Sequence, residues 1–320
     1  MTTTDSIDQP QLVALVNAKS GRFFRDPSVL GKVKALCSNR AELQEVTEDA
    51  QLAQNVTRLP ERPGLQVGIL GGDGTVMRVM TQLAKVFGPS RLPLIVPIPF
   101  GTMCTTSRRW GAGRSPFRTL NAWLNHEPLV LARQETLSVT INDREELVGC
   151  TVGTGLVAQF FERYEALGAR GVVSAGRIAI ESFLGSFFSS SFSQSIMRPL
   201  DCRITVENQE TAPEHFSLVV CSVFKNVGLG IKVTYRAGDE PGRIALVTSS
   251  LPARQLGPQF WRVLSGRDLR DPMGINRLVC DWSLQFEKSG PIIVDGERRN
   301  VHSLRVRPGP TWSVLTERSG

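Results

Sequence analysis

The sequence has three histidines and no closely spaced cysteines, and both shortages narrow its chemistry. His126, His215 and His302 sit at no metal-ligand or triad spacing, which argues against a zinc centre or a Ser-His-Asp hydrolase. The six cysteines (Cys37, Cys104, Cys150, Cys202, Cys221 and Cys280) form no Cys-x-x-Cys pair and none of the dense spacing of a secreted disulfide scaffold, so a reduced compartment is expected. The first residues, MTTTDSIDQP, are polar and acidic, unlike a signal peptide. The apolar run from Leu92 to Pro99 is short and broken by prolines, so no membrane span is expected. There is no internal repeat, and the basic residues lack interleaved stacking aromatics, so no nucleic-acid partner is expected.

What is present is a chain of 320 residues, 41% hydrophobic and 21% charged, long enough for two ordinary cores. Its formal charge of +7 includes the groups Arg108-Arg109, Arg298-Arg299 and Arg305/Arg307, which favour phosphates or an acidic membrane face. The N-terminal part alternates strand and helix patterns: strand Gln11 to Asn17, helix Ser28 to Cys37, helix Thr47 to Leu59, strand Leu65 to Leu70, helix Val76 to Phe87 and strand Leu94 to Ile98. That order implies an α/β domain on a parallel sheet, with ligand loops at the strand C-termini.

From about Leu129 the pattern changes to alternating segments, Leu137 to Ile141, Ile204 to Val206, Ser217 to Val223, Arg243 to Val247 and Leu278 to Phe286, which predict an antiparallel β domain. One helical stretch interrupts it, Phe160 to Phe188, whose Ile178, Phe183, Leu184, Phe187 and Phe188 suit a core face or the wall of an apolar cleft. A Ser/Phe-rich patch, Ser186 to Ser195, overlaps its end.

The strand Leu65 to Leu70 runs into Gly71-Gly72-Asp73-Gly74-Thr75 and then a helix, which presents bare backbone amides above the sheet. Phosphate oxygens suit such amides, and Thr75 is placed to cap the helix. Asp73 is the odd member: a carboxylate beside phosphates is repelled unless it orients a loop, binds ribose or water, or works through a cation. Taken alone, the glycines also fit a structural turn. Two further loops, Asn17-Ala18-Lys19-Ser20-Gly21 and Gly101-Thr102, are expected at the same sheet edge. Neither the Walker A pattern nor Gly-x-Gly-x-x-Gly occurs there.

These motifs, taken in order, resemble the diacylglycerol kinase catalytic-domain family, which includes bacterial lipid kinases and the sphingosine and ceramide kinases and is a distant relative of NAD kinases. Asn17-Ala-Lys-Ser-Gly21 is similar to Asn-Pro-x-Ser-Gly, Thr47-Glu-Asp-Ala50 to a Thr before an acidic-Ala pair, and Gly71 to Thr75 to Gly-Gly-Asp-Gly-Thr in full. Pro99-Phe-Gly-Thr102, Gly153-Thr-Gly155 and Val294-Asp-Gly-Glu297 also fall in family order, so the resemblance runs over roughly residues 11 to 310.

The resemblance implies a nucleotide-binding α/β domain (11–128, with about 305–320 returning to it), a β-sandwich-like lipid-substrate domain (129–304), and an active site in the interdomain cleft. It further implies an ATP-dependent lipid kinase acting on a hydroxyl of a lipid such as ceramide or diacylglycerol. Asn17, Ser20, Gly21, Thr47, Gly71, Gly72, Asp73, Gly74, Thr75 and Thr102 would hold ATP, with Mg²⁺ on the triphosphate. Glu297 would be the base that takes the acceptor's proton, with Asp295 supporting it or the metal. By itself, Asp295-Gly296 signals a hairpin turn. The implied partners are a lipid presented by a membrane and anionic lipids, with a homodimer as an assembly, at the inner face of the membrane in the cytoplasm.

Two departures stand out. The usual Asn after Gly-Thr is here Cys104, a weak donor, which suggests a less polar site tolerant of an atypical lipid such as ceramide. The acidic segment of the second domain reads Arg236-Ala-Gly-Asp239-Glu-Pro-Gly242, with Asp239 the counterpart of a metal ligand at shifted spacing. The alternatives are a lipid- or nucleotide-binding homologue that has lost turnover, and an NAD kinase-like enzyme.

Overall fold

The computed structural model describes residues 11–166, 199–211, 215–227 and 231–318. The chain separates into two compact units, Met1–Gln134 with Thr311–Gly320, and Glu135–Pro310.

The first unit is built on β1 (Leu12–Val16), α1 (Gly21–Arg25), α2 (Pro27–Cys37), β2 (Glu42–Glu45), α3 (Asp49–Thr57), β3 (Gln66–Gly71), α4 (Asp73–Phe87), β4 (Leu94–Pro99), α5 (Thr105–Arg109), α6 (Pro116–Leu124) and β5 (Val130–Gln134). Strands β1, β3 and β4 are near-continuous apolar runs, broken by Gln66 at the start of β3, because helices cover both faces of a parallel sheet. Val13, Ala14, Leu15, Val67, Ile69, Leu70, Val96 and Ile98 are all fully buried.

The second unit contains β6 (Leu137–Ile141), β7 (Glu145–Gly149), β8 (Thr151–Gly155), α7 (Leu156–Ala166), β9 (Leu200–Val206), β10 (Gln209–Glu210), β11 (His215–Phe216), β12 (Leu218–Ser222), β13 (Ile244–Ser249), β14 (Asn276–Val279), β15 (Trp282–Val294) and β16 (Glu297–Pro308), followed by β17 (Trp312–Thr316) in the first unit. Two short helices, Ala253–Leu256 and Phe260–Leu264, precede β14.

The first sheet has the order β2-β1-β3-β4-β17-β5. All its neighbours are parallel except β17 and β5. The C-terminal strand β17 therefore completes the sheet that β1 begins. The second sheet is antiparallel, β14-β13-β12-β8-β15-β16-β6-β7, with β9 pairing β15, β10 and β11. Its core packs Leu137, Ile204, Phe216, Leu246, Trp282, Leu284, Ile292 and Val306. This is the α/β-plus-antiparallel-β class that the sequence pattern predicts.

Three differences from the sequence pattern have physical causes. The stretch Leu278 to Phe286 is two strands, because the chain turns at Cys280-Asp281 between β14 and β15; the apolar alternation runs through the turn and hides it. Strand β2, Glu-Leu-Gln-Glu, is an edge strand with no fully buried residue, so it carries no apolar signal. Helix α7 starts at Leu156, earlier than Phe160. Beyond Ala166 the stretch to Phe188, with Ile178, Phe183, Leu184, Phe187 and Phe188, lies outside the described residues, as does the Ser/Phe-rich patch. Among the described residues no helix is long and apolar enough to cross a membrane.

The cysteines are all free, and Cys280 is the exposed one. Burial pushes the thiols of Cys37 and Cys104 up to about 11, and those of Cys202 and Cys221 up to about 12. The thiolate is the form that alkylates. Iodoacetamide at about pH 8 should therefore modify Cys280 in the native protein, and the other five only after denaturation. Peptide mass mapping reads the sites, and rapid native labelling of Cys104 would show that its loop opens.

Candidate active site

In the first sheet, β1 has β2 on one side and β3 on the other, so the chain reverses its direction of progression between β1 and β3. Open α/β sheets bind ligands beyond the strand C-termini at such a switch point. Asn17 leaves β1 there, and its N–H donates to the Leu70 carbonyl at 3.1 Å. Its side chain crosses to the glycine loop, with Nδ2 donating to Thr75 Oγ1 at 2.9 Å. Thr75 is therefore not the helix cap the sequence suggested. Gly72 occupies the cap position of α4, and Thr75 lies buried three residues on, where its hydroxyl receives Asn17.

The third loop, after β4, is tied to both others. Gly101 N–H donates to the Gly71 carbonyl at 2.9 Å, and Arg22 N–H to the Phe100 carbonyl at 3.0 Å. Gly101 and Gly72 pass so closely that a Cβ on Gly101 would lie 2.3 Å from the Gly72 Cα, which no side chain survives. Likewise a Cβ on Gly21 would meet Thr102 Oγ1 at 2.4 Å, so the first and third loops touch. Phe100 anchors the arrangement from below, stacked on Phe23 at 4.6 Å and edge-on to Phe117 at 5.4 Å. The sequence reading missed Phe23 and took Phe100 only as a member of the Pro99 to Thr102 motif, without its stacking role.

Asp73 has a definite occupation. Its two carboxylate oxygens accept the backbone N–H groups of Thr105 (2.7 Å) and Thr106 (2.9 Å), the first residues of α5. The carboxylate of the second loop thus caps the helix that follows the third. Of the roles open to Asp73, orienting a loop is the one this geometry displays. Burial pushes its pKa up, while the Thr105, Thr106 and Ser107 N–H donors and the charge of Arg109 pull the other way.

Cys104 immediately precedes α5 in the left-handed region, at φ 49° and ψ 47°. Asn is among the few residues that visit this region routinely, which gives a backbone reason for Asn at this place in the family pattern. The Cys104 thiol is 1% exposed and points at the Gly71 carbonyl, 3.6 Å away. It braces the glycine loop from inside.

Thr47 follows β2, whose end is fixed by Val46 N–H donating to the Val16 carbonyl at 2.9 Å. Its N–H and hydroxyl both donate to Gln51 Oε1 at 3.2 Å, which organises the start of α3. The residues Asn17, Ser20, Gly21, Thr47, Gly71, Gly72, Asp73, Gly74, Thr75 and Thr102 thus share the C-terminal edge of β2, β1, β3 and β4. Ser20 is 7% exposed, and its hydroxyl has no hydrogen-bond partner. Together with the free amides of the first turn of α4, that orphaned hydroxyl fits a phosphate-bearing ligand.

In the second unit, Asp295-Gly296 is the two-residue turn of the β15–β16 hairpin, with φ 48° and 91° at the two positions and Val294 paired to Glu297. Positive φ at both central residues is the hairpin geometry that Asp-Gly favours. The Asp295 carboxylate repeats the arrangement of Asp73. It accepts two consecutive backbone N–H groups, Cys150 at 2.8 Å and Thr151 at 2.9 Å, while its own N–H donates to the Thr151 carbonyl at 2.9 Å. It ties the hairpin tip to the start of β8, the strand carrying Gly153-Thr154-Gly155.

Glu297 has its side chain 46% exposed, 3.7 Å from the Arg299 guanidinium. Arg299 is itself held by Glu145 at 2.7 Å. Residues two apart on a strand share a face, so the Glu297–Arg299 pairing was readable in the sequence, whereas the reach to Glu145 was not. Asp239 pairs with Lys225 at 2.8 Å. Among the described residues no cluster of three or more His, Cys, Asp or Glu is arranged to hold a metal.

Comparison with known proteins agrees with this architecture. Residues 11–131 match the family model described as the diacylglycerol kinase catalytic domain. A structure given as a candidate diacylglycerol kinase from Bacillus anthracis superimposes with a TM-score of 0.67 at 14% identity, covering 97% of this chain and 98% of that one. A diacylglycerol kinase from the same organism gives a TM-score of 0.61 at 13% identity, with 97% of each chain covered. At those identities the likeness is one of fold. A comparison with curated protein sequences finds no match.

Proposed function

We propose that the protein is an ATP-dependent kinase that phosphorylates a hydroxyl group of a lipid. The observation that carries this reading is the convergence of three glycine loops at one sheet switch point, within the segment that matches the diacylglycerol kinase catalytic domain. The α4 N-terminus, Ser20 Oγ and Thr102 bind the phosphates of ATP. Asn17 and Asp73 shape the site, the first by holding Thr75 and the second by fixing the start of α5. Mg²⁺ supplies charge neutralisation on the triphosphate, a role that needs only one or two protein carboxylates because phosphates provide other ligands.

Glu297 is the proton acceptor in this reading. Its exposure leaves it open to an incoming hydroxyl, and Arg299 sets the direction of its carboxylate. Asp295 positions the hairpin that presents Glu297, and Asp239, paired with Lys225, would be the second unit's carboxylate for the metal. The acceptor class is a lipid alcohol: diacylglycerol, ceramide or a sphingoid base. The buried position of Cys104 removes the reason to rank ceramide first.

The test is transfer from labelled ATP to diacylglycerol, ceramide and sphingoid bases in mixed micelles, with NAD as a further acceptor. Labelled phospholipid supports the reading. Labelled NADP, or no labelled product beside demonstrable ATP binding, overturns it.

Arg299 offers a finer check. Arg299→Ala should lower kcat about tenfold, or ~1.4 kcal/mol of barrier, leave the KM for ATP unchanged and be partly restored in Arg299→Lys. Equal losses in the alanine and lysine variants would mean that the residue serves folding alone.

A further inference from the structure

The arginines that the sequence groups together are largely spoken for. Arg298 faces Glu162 at 3.4 Å, Arg299 is bonded to Glu145, and Arg305 to Asp281. The region from Arg254 to Met273, in the second unit, is different. Leu256 and Val263 anchor it on an apolar cluster with Leu218, Val220 and Val247. On the outside Trp261 is 63% exposed and Met273 61% exposed.

Gln259 joins the two halves of this region. Its Nε2 donates to the Arg270 carbonyl at 3.3 Å, and Arg270 N–H donates to its Oε1 at 2.5 Å. Arg262 Nε closes the intervening turn by donating to the Asp268 carbonyl at 2.7 Å.

The acidic residues of the region are engaged by neighbours within the unit, although the Asp268 side chain stays about half exposed. Asp268 receives Tyr235 and Asn276, each at 2.5 Å, and Arg236 at 3.4 Å. Asp271 receives Ser249 Oγ at 2.9 Å, Ser250 N–H at 2.9 Å and Met273 N–H at 3.0 Å. Arg254, Arg267 and Arg270 are exposed, with no ion pair among the described residues. The exposed surface of this region therefore combines an indole and a thioether with three free cations, while its two carboxylates are occupied by hydrogen bonds and an ion pair within the unit.

We propose that this face is the membrane-docking surface of the protein, and that its occupant is a bilayer carrying anionic headgroups. Tryptophan prefers the headgroup level of a bilayer, where its ring is half buried and its N–H stays hydrated. Unpaired arginines near an anionic surface gain attraction that fades within a Debye length and weakens with salt. A second copy of the chain would bring three unpaired arginines against the same three, so charge complementarity favours lipid. The choice of a lipid surface rests on the lipid-kinase reading above.

The protein carries its own probe. Trp110, Trp123, Trp282 and Trp312 are all buried, so Trp261 is the tryptophan whose emission solvent governs. The experiment mixes the full chain, without ATP, with phosphatidylcholine vesicles that contain or lack phosphatidylglycerol. It records tryptophan emission and co-sedimentation across a salt series.

The expected result is a blue shift and binding about 10–100-fold tighter on the anionic vesicles, with the preference lost at high salt. Trp261→Phe should abolish the spectral shift. The triple change of Arg254, Arg267 and Arg270 to Gln should remove the anionic preference; all four residues are exposed, so neither variant threatens the fold.

Equal binding to both vesicles, an unmoved emission spectrum, or a blue shift that instead follows protein concentration without lipid overturns the proposal. Transfer from ATP to an acceptor in detergent micelles, measured in parallel, keeps this outcome separate from that of the kinase reading. A kinase active in micelles with an unresponsive Trp261 sinks only the docking surface, and vesicle binding without any transfer sinks only the activity.

Discussion

Glu297→Gln is expected to lower phosphoryl transfer by about 10²–10⁴-fold, the range over which a positioned general base contributes, while ATP still binds. Glutamine keeps the length and most of the polarity of the side chain but cannot take a proton. Little else should change. The carboxylate is about half exposed, and its contact with Arg299 is long, at 3.7 Å, so the substitution should move stability by no more than ~0.5 kcal/mol. An activity loss then cannot be assigned to unfolding. Thermal denaturation and ATP titration, run beside the transfer assay, separate the three quantities. Near wild-type turnover in the glutamine variant would remove Glu297 from the role of base and leave Asp295-Gly296-Glu297 as a hairpin with no part in the chemistry.

How far the sequence disclosed this arrangement varies by level. The parallel sheet was legible because strands covered on both faces read as apolar runs, and because helices alternate with them. The edge position of the three glycine loops followed from the rule that ligand loops leave parallel strands at their C-termini. Strand β2 was not legible, since an edge strand written Glu-Leu-Gln-Glu has nothing to bury.

The candidate site divides the same way. Which residues gather at the sheet edge could be read; which atoms bond which could not. Asp295 is bonded to amides 145 and 144 positions away in the chain, and Arg299 to a carboxylate 154 positions away. No local pattern encodes such pairings, because the antiparallel sheet alone sets its register. Cys104 shows the intermediate case: the family pattern marked the position as unusual, but only the backbone angle explains why asparagine suits it.

Asp73→Asn is the change expected to affect the first unit most. Asp73 joins the second loop to the third through two backbone N–H groups. An asparagine oxygen can accept one of them, and its amide nitrogen then turns donor hydrogens toward the other. Leaving a buried N–H unpaired costs about 1–3 kcal/mol, so α5 and the loop from Gly101 to Cys104 should loosen.

Two readouts follow together: lower stability of the first unit, and an increase of about tenfold or more in the KM for ATP, equivalent to ~1.4 kcal/mol of lost loop order. The pH dependence carries a sign. Burial raises the Asp73 pKa in the folded chain, so the folded state holds the proton more tightly than the unfolded one. The stability linked to this group is fully present below the ordinary carboxylate value and declines as pH rises through the elevated one. The asparagine variant lacks this titration. The stability difference between the two proteins should therefore shrink as pH rises across that window and become constant above it.

Urea denaturation at a series of pH values measures the difference, and ATP kinetics at neutral pH measure the loop. A variant with unchanged stability and unchanged KM but little turnover would contradict the clamp. It would place the Asp73 carboxylate in the chemical step instead.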